Sequence, residues 1–170
     1  MRYELDWVQE QLNLPERLET LQATGLLDTS AEECFDRATR LATGLLKMPV
    51  ALVSLVDDHR QFFKSQVGLN GHWAIDRQSP LSHSICQYVV ANREPLVVGD
   101  ARHADFLSEN LGVEAFDIGS YVGIPLITSN DQAVGAFCAI DSRPHEFTVE
   151  QVKLLNELAD FVTNEIDLRL

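Results

Sequence analysis

Positive charge is scarce: 13 Lys and Arg stand against 26 Asp and Glu, a formal charge of −13, and no stretch gathers the cations together. Phosphate backbones and anionic bilayers would be repelled, so neither nucleic acid nor a membrane surface is an expected partner. Long apolar runs are missing as well, and nothing approaches the roughly 20 residues of a membrane span. The opening MRYELDWVQE carries charges where a signal peptide needs an apolar run, so the expected location is the cytoplasm. Cysteine is limited to Cys34, Cys86 and Cys138, an odd number, widely spaced, each inside an apolar segment. Such usage suits reduced thiols and argues against a disulfide framework. Kinase, cyclase and nucleotide-phosphate motifs are also lacking, and 170 residues leave no room for a second catalytic domain.

What the chain does have is an apolar share of 45%, enough for a core, and one stretch around which the rest is arranged, GSYVGIPLITSNDQAVGAFCAID from Gly119 to Asp141. Two β-rich runs, Ser120 to Thr128 and Ala133 to Asp141, flank the turn formers Ser129 to Gln132. That pattern predicts an antiparallel hairpin forming the two centre strands of a sheet. Gly123 and Gly135 mark places where another group approaches the backbone, and Pro125 predicts a bulge or an open edge nearby.

Upstream, Leu5, Val8 and Leu12 keep a loose helical spacing, and Pro15 opens a second helix that stops at Gly25. Ser30 and Glu33 form a Ser-x-x-Glu capping pattern, with Phe35, Ala38, Ala42, Leu45 and Leu46 on one face of the helix that follows. PVALVSLVD, Pro49 to Asp57, predicts a buried strand, and Arg60 to Gly68 a partner near the sheet edge. Leu69 to Gln78 is irregular, Pro80 to Ala91 predicts a short helix, and Glu94 to Val98 a brief strand. The polar stretch from Gly99 to Ile118 is a long connection of the functional kind. Thr148 and Gln151 cap a final helix with Val152, Leu155, Ala159, Val162 and Ile166 inward. Leu154, Phe161 and Leu168 form a second stripe that is either a seam with another chain or the rim of a broad buried face. The order predicts an α+β sandwich, an antiparallel sheet with terminal helices on one face and the middle helix and connection over the other.

These stretches together, LLDT at Leu26 to Thr29, ALVSLVDDHRQFFKSQVGL, SHSICQYVV, PLVVGDAR, YVGIPL, and VGAFCAID followed by FTVEQVKLLNELADFV, resemble the GAF domains of bacterial signalling proteins. The resemblance implies a GAF-like sheet of five or six antiparallel strands over residues 26–170, preceded by a helical extension over 1–25. It also implies a small-molecule pocket under the cover, a homodimer through the terminal helices, and an output domain in the same or another chain. It names no ligand.

Position selects seven residues to line such a pocket: Ser54, the lone polar group of its strand; Phe63 opposite it; His83 and Cys86 on the cover; Asp100 and Phe106 in the connection; and Tyr121 at the start of its strand. Cys86 is either a thiol assisted by His83, read as lying on the same helical face, or a small buried residue, the commoner role of a free cysteine. Bilin, haem and cyclic nucleotide each lack a strong signal. Gln87 stands where bilin-binding relatives usually carry His or Tyr, and Arg102 is the one cation of the connection placed for a phosphate. No second pair of ligands joins His83 and Cys86, so no metal is expected. A thiol enzyme resembling free methionine sulfoxide reductase is the alternative, as is a dimerisation module without ligand. No cysteine lies between Cys86 and Cys138, and Cys138 reads as structural, which weighs against the enzyme.

Overall fold

The computed structural model describes residues 1–170. Helices α1 (Leu5–Leu12), α2 (Pro15–Ala23) and α3 (Glu33–Leu46) precede strands β1 (Val50–Val56) and β2 (Arg60–Val67). A short helix α4 (His72–Asp76), strand β3 (Gln78–Pro80), helix α5 (Cys86–Asn92) and strand β4 (Leu96–Val98) follow. The connection after β4 carries helix α6 (Gly112–Ala115), and the chain ends with β5 (Ser120–Ile127), β6 (Ala133–Asp141) and α7 (Val149–Asp167). The six strands form one sheet in the order β3-β2-β1-β6-β5-β4, every neighbour antiparallel. The α+β sandwich read from the sequence is the fold observed.

The centre of the sheet is β1 beside β6, so the last hairpin supplies one central strand and not two. β6 is buried along its whole length, as a strand covered on both faces must be. Pro125 sits beyond the short β4, which pairs only with Tyr121 to Gly123, so its missing N–H leaves no ladder bond unmade on that side; the register slips just after it, at Leu126 and Ile127.

Alternation along the strands divides the core in two. Val53, Leu55, Val122, Phe137 and Ala139 pack against Phe35, Ala38, Ala42, Leu155, Ala159 and Val162 of α3 and α7. Leu52, Val56, Tyr121, Cys138 and Ile140 face Ile85, Val89 and Val90 of α5 and its neighbours. The capping box of α7 forms as expected at Thr148 and Gln151, and Val152 at the start of the stripe is only half-buried. On α3 the expected box does not form: the helix starts at Glu33 with Glu32 at its N-cap and no side-chain cap, so Ser30 stands two residues too early, and its carbonyl accepts from the Lys64 ammonium at 2.6 Å. Leu45, placed inward from the sequence, is 54% exposed.

Two buried cations fasten this frame. Lys64 is the extra residue of a β-bulge, since Val53 pairs with Ser65 while Ser54 pairs with Phe63. The bulge turns its ammonium toward the start of α3, where it meets Thr29 Oγ1 at 2.7 Å and Glu32 at 2.6 Å. Arg17 of α2 donates to the carbonyls of Leu12, Val56, Ala133 and Asp57, tying the extension to the ends of β1 and β6. Burial lowers its pKa to about 10, yet the four acceptors replace lost water.

The extension itself divides between the faces. α1 packs on α5 through Val8 and Leu12, while α3 and α7 lie on the opposite side, so the chain ends do not bundle together behind the sheet. Arg2 and Asn92 exchange two hydrogen bonds, at 2.7 and 2.8 Å, and Tyr3 stacks on Phe106 at 3.9 Å.

Candidate functional site

Under α5 the sheet presents a polar chain inside an otherwise apolar face. Ser54 Oγ donates to Gln61 Oε1 at 3.2 Å, Ser84 Oγ donates to the same oxygen at 2.9 Å, and Gln61 Nε2 donates to Ser79 Oγ at 2.7 Å. Strand pairing explains how these meet: Gln61 sits opposite Ser79 on β3, and the bulge brings Ser54 opposite Phe63. All four polar side chains are buried and satisfied, as a low-dielectric interior demands.

Next to this chain lie Cys86, Tyr121 and Cys138. Cys86 Sγ is 3.1 Å from Tyr121 Oη and 3.8 Å from Cys138 Sγ. Contact with the Cys138 thiol lowers the Cys86 pKa, against burial and with help from the hydroxyls of Tyr121 and Ser54. Burial raises Tyr121 and Cys138 well above their ordinary values. The void these groups border, between α5 and the sheet, holds about 10 Å³, at most a single water. Ile85, Phe116, Ile118 and Ile140 fill the rest. The outer rim is aromatic: Trp73 of α4 lies 5.2 Å from His83 and 4.9 Å from Phe116, ring centre to ring centre. Burial, then His72, lowers the pKa of His83.

The seven residues selected from the sequence fall into two groups. His83, Cys86 and Tyr121 meet around the void, Ser54 lies behind it, hydrogen-bonded to Gln61 of its lining, and Phe63 packs edge-on to Phe116 at 6.2 Å. Asp100 and Phe106 lie elsewhere. The Asp100 carboxylate is 2.8 Å from His103 Nδ1, and Phe106 stacks with Tyr3 in an open groove of about 460 Å³ on the outside of the cover. Arg102 is engaged by Asp117 and the Ser142 carbonyl.

The helix expected over Pro80 to Ala91 begins only at Cys86, because Gln78 to Pro80 pair with β2 and Leu81 to His83 make a separate turn. His83 is therefore not on a shared helical face with Cys86; its Nδ1 is 3.0 Å from Ser82 Oγ. Sequence reasoning missed Gln61, Ser84, Trp73 and the proximity of Cys138. For Cys138 a signal existed: it pairs with Leu52, two residues before Ser54, which places it on the cover face if the register is known.

An antiparallel six-stranded sheet covered by helices on both faces is the architecture of a known class of domains, and comparison with known proteins identifies it. A family model described as GAF domain matches residues 30–166, and the chain belongs to the GAF domain family. It is 32% identical over 144 residues to the cyclic di-GMP phosphodiesterase PA2567 of Pseudomonas aeruginosa, covering 84% of this chain and 24% of that protein. The chain thus spans about a quarter of the curated relative that it matches. The GAF domain of a phosphoenolpyruvate-protein phosphotransferase from Acinetobacter superposes with a TM-score of 0.64 at 19% identity, covering 90% of this chain and 93% of that one. Free methionine-R-sulfoxide reductase from Neisseria meningitidis, solved with its substrate, gives 0.62 at 14% identity, covering 88% of each. The last two share the fold.

Proposed function

We propose that this chain is a small-molecule-sensing regulatory domain of a bacterial signalling protein, in which occupancy of the site under α5 alters helix packing across a homodimer. The observation that carries this reading is the buried chain from Ser84 through Gln61 and Ser54 to Cys86 and Tyr121. Polar groups converging inside an apolar face are the usual recognition elements of a ligand pocket. A void of about 10 Å³ admits no metabolite, so binding requires the rim of Trp73, His83 and Phe116 to move outward, a population shift toward an open state. Dimerisation is assigned to α3 and α7, which leave Leu41, Leu45, Phe161 and Leu168 exposed. The output domain lies in the same or another chain. The matched relative, a cyclic di-GMP phosphodiesterase of which the matched residues make up 24%, supports such an arrangement.

A second reading, a dimerisation module without ligand, is favoured by the filled interior itself. The thiol-enzyme reading needs a substrate to reach Cys86, which is 2% exposed. Native mass spectrometry of the chain produced in its own host, with an absorbance scan, separates the three. The sensing reading expects an added mass that leaves on denaturation and a loss of that mass in Gln61→Leu. A bare dimer in every preparation would establish the module, and turnover of free methionine sulfoxide lost in Cys86→Ser would establish the enzyme.

A further inference from the structure

Two thiols separated by 52 positions in the chain meet inside the cover face. Cys86 is the first residue of α5 and Cys138 lies in the middle of β6, with sulfurs 3.8 Å apart. A disulfide bond is about 2 Å long, so closing the gap needs less than 2 Å of movement, shared between a rotamer change and a small shift of α5. Both residues are buried, at 2% and 0% exposure, and neither has another cysteine near it. We propose that Cys86 and Cys138 are a site of reversible oxidation, forming an intramolecular disulfide when the domain meets hydrogen peroxide.

Cys86 is the attacking thiol. The Tyr121 hydroxyl and the Cys138 thiol both contact its sulfur and stabilise the thiolate, whereas burial keeps Cys138 protonated. The Cys86 thiolate attacks one peroxide oxygen and the O–O bond breaks. Sulfur becomes a sulfenic acid, and the second oxygen leaves as hydroxide, which takes up the proton released by Cys86 and becomes water. Cys138 sulfur then attacks Cys86 sulfur. The S–S bond forms, the S–O bond breaks, and the hydroxyl leaves with the Cys138 proton as a second water. Two electrons pass from the thiol pair to the peroxide. The closed void holds no more than a water, so hydrogen peroxide enters when the rim of Trp73, His83 and Phe116 opens briefly, an opening too small for bulky alkyl hydroperoxides. The new bond fastens the start of the cover helix to a central strand of the sheet, restraining outward movement of α5. The chemistry depends on the thiol pair alone, so it stands or falls separately from ligand binding.

Cys34 is an internal control, half-buried on the opposite face of the sheet. The whole chain, reduced and freed of reductant, is treated with hydrogen peroxide, alkylated, digested and mapped by mass spectrometry, once folded and once in concentrated urea. The expected result is a Cys86–Cys138 linked peptide about tenfold in excess of any linkage through Cys34 in the folded protein, reversed by dithiothreitol and reduced to comparable yields in urea. Free Cys138 beside a Cys86 sulfinic acid, oxidation confined to Cys34, or an excess of the Cys86–Cys138 linkage as large in urea as in the folded protein would each overturn the proposal.

Discussion

Gly123 and Gly135 both stand where a neighbour crowds the backbone, but the neighbours differ. A Cβ on Gly135 would lie 2.2 Å from the Ser54 carbonyl oxygen across the β1–β6 ladder, and that backbone has nowhere to go. A Cβ on Gly123 would meet the Tyr121 hydroxyl at 2.4 Å and two carbons of its ring at 2.8 Å, a side chain and not backbone, though one that is itself buried. Gly135→Ala is therefore expected to cost about 3 kcal/mol or more in urea unfolding, and Gly123→Ala about 1 kcal/mol with a changed tyrosine near-ultraviolet signal. Equal costs would mean that Tyr121 is as fixed as the ladder. Tyr121→Phe removes one of the hydroxyls that hold the Cys86 pKa down, so Cys86 should titrate at higher pH in thiolate absorbance, with the fold unchanged. The glycines were legible in the sequence as close approaches. Which atom approaches was not, because that depends on strand register.

At the scale of elements, α3 and α7 are joined through one carboxylate. Glu32, just before α3, pairs with Lys64 of the bulge at 2.6 Å and with Arg169 beyond α7 at 2.6 Å. The Lys64 hydrogen bond, then that of Arg169, lowers the Glu32 pKa below its ordinary value of 4.5 despite some desolvation. Asp28 is lowered in the same sense by Arg60. A carboxylate whose folded value is depressed contributes stability that is present above the unfolded value and lost as pH falls through the folded one. Unfolding midpoints should thus fall steeply below about pH 4.5, and less steeply in Glu32→Gln; parallel profiles would show that the clamp carries no stability. Lys64→Met leaves the Ser30 carbonyl without its donor, takes the ammonium from Thr29 Oγ1, which keeps only its own bond to the Leu26 carbonyl, and is expected to cost about 1–3 kcal/mol. Helical periodicity made α3 and α7 legible. Ser30 and Glu33 misled because the helix starts at Glu33 itself, with Glu32 at the N-cap and engaged by Lys64 and Arg169, partners remote in sequence.

At the scale of the whole molecule, the faces carry different tasks. The α3 and α7 face exposes apolar side chains, and if the proposed dimer forms there, Phe161→Glu is expected to shift it to monomer in light scattering at micromolar concentration while leaving circular dichroism unchanged. Retention of the dimer would remove that face from the interface. The cover face instead carries α1, tied to α5 by Arg2, Asn92 and Tyr3, so a displaced α5 pulls on the N-terminal end of the chain.

The sequence by itself determined five of the six strands, all but β3, the helices of α3 and α7, the layered architecture and the presence of Ser54, Cys86 and Tyr121 on one side of the sheet, because periods of 2 and 3.6 residues are written locally. Tertiary structure alone decided that Cys138 meets Cys86, that Gln61 joins Ser54 to Ser84, that Asp100 and Phe106 stand apart, and that the cover closes on the sheet. Those outcomes follow from register, a bulge and the meeting of residues far apart in the chain, where a shift of one position sends every side chain to the other face.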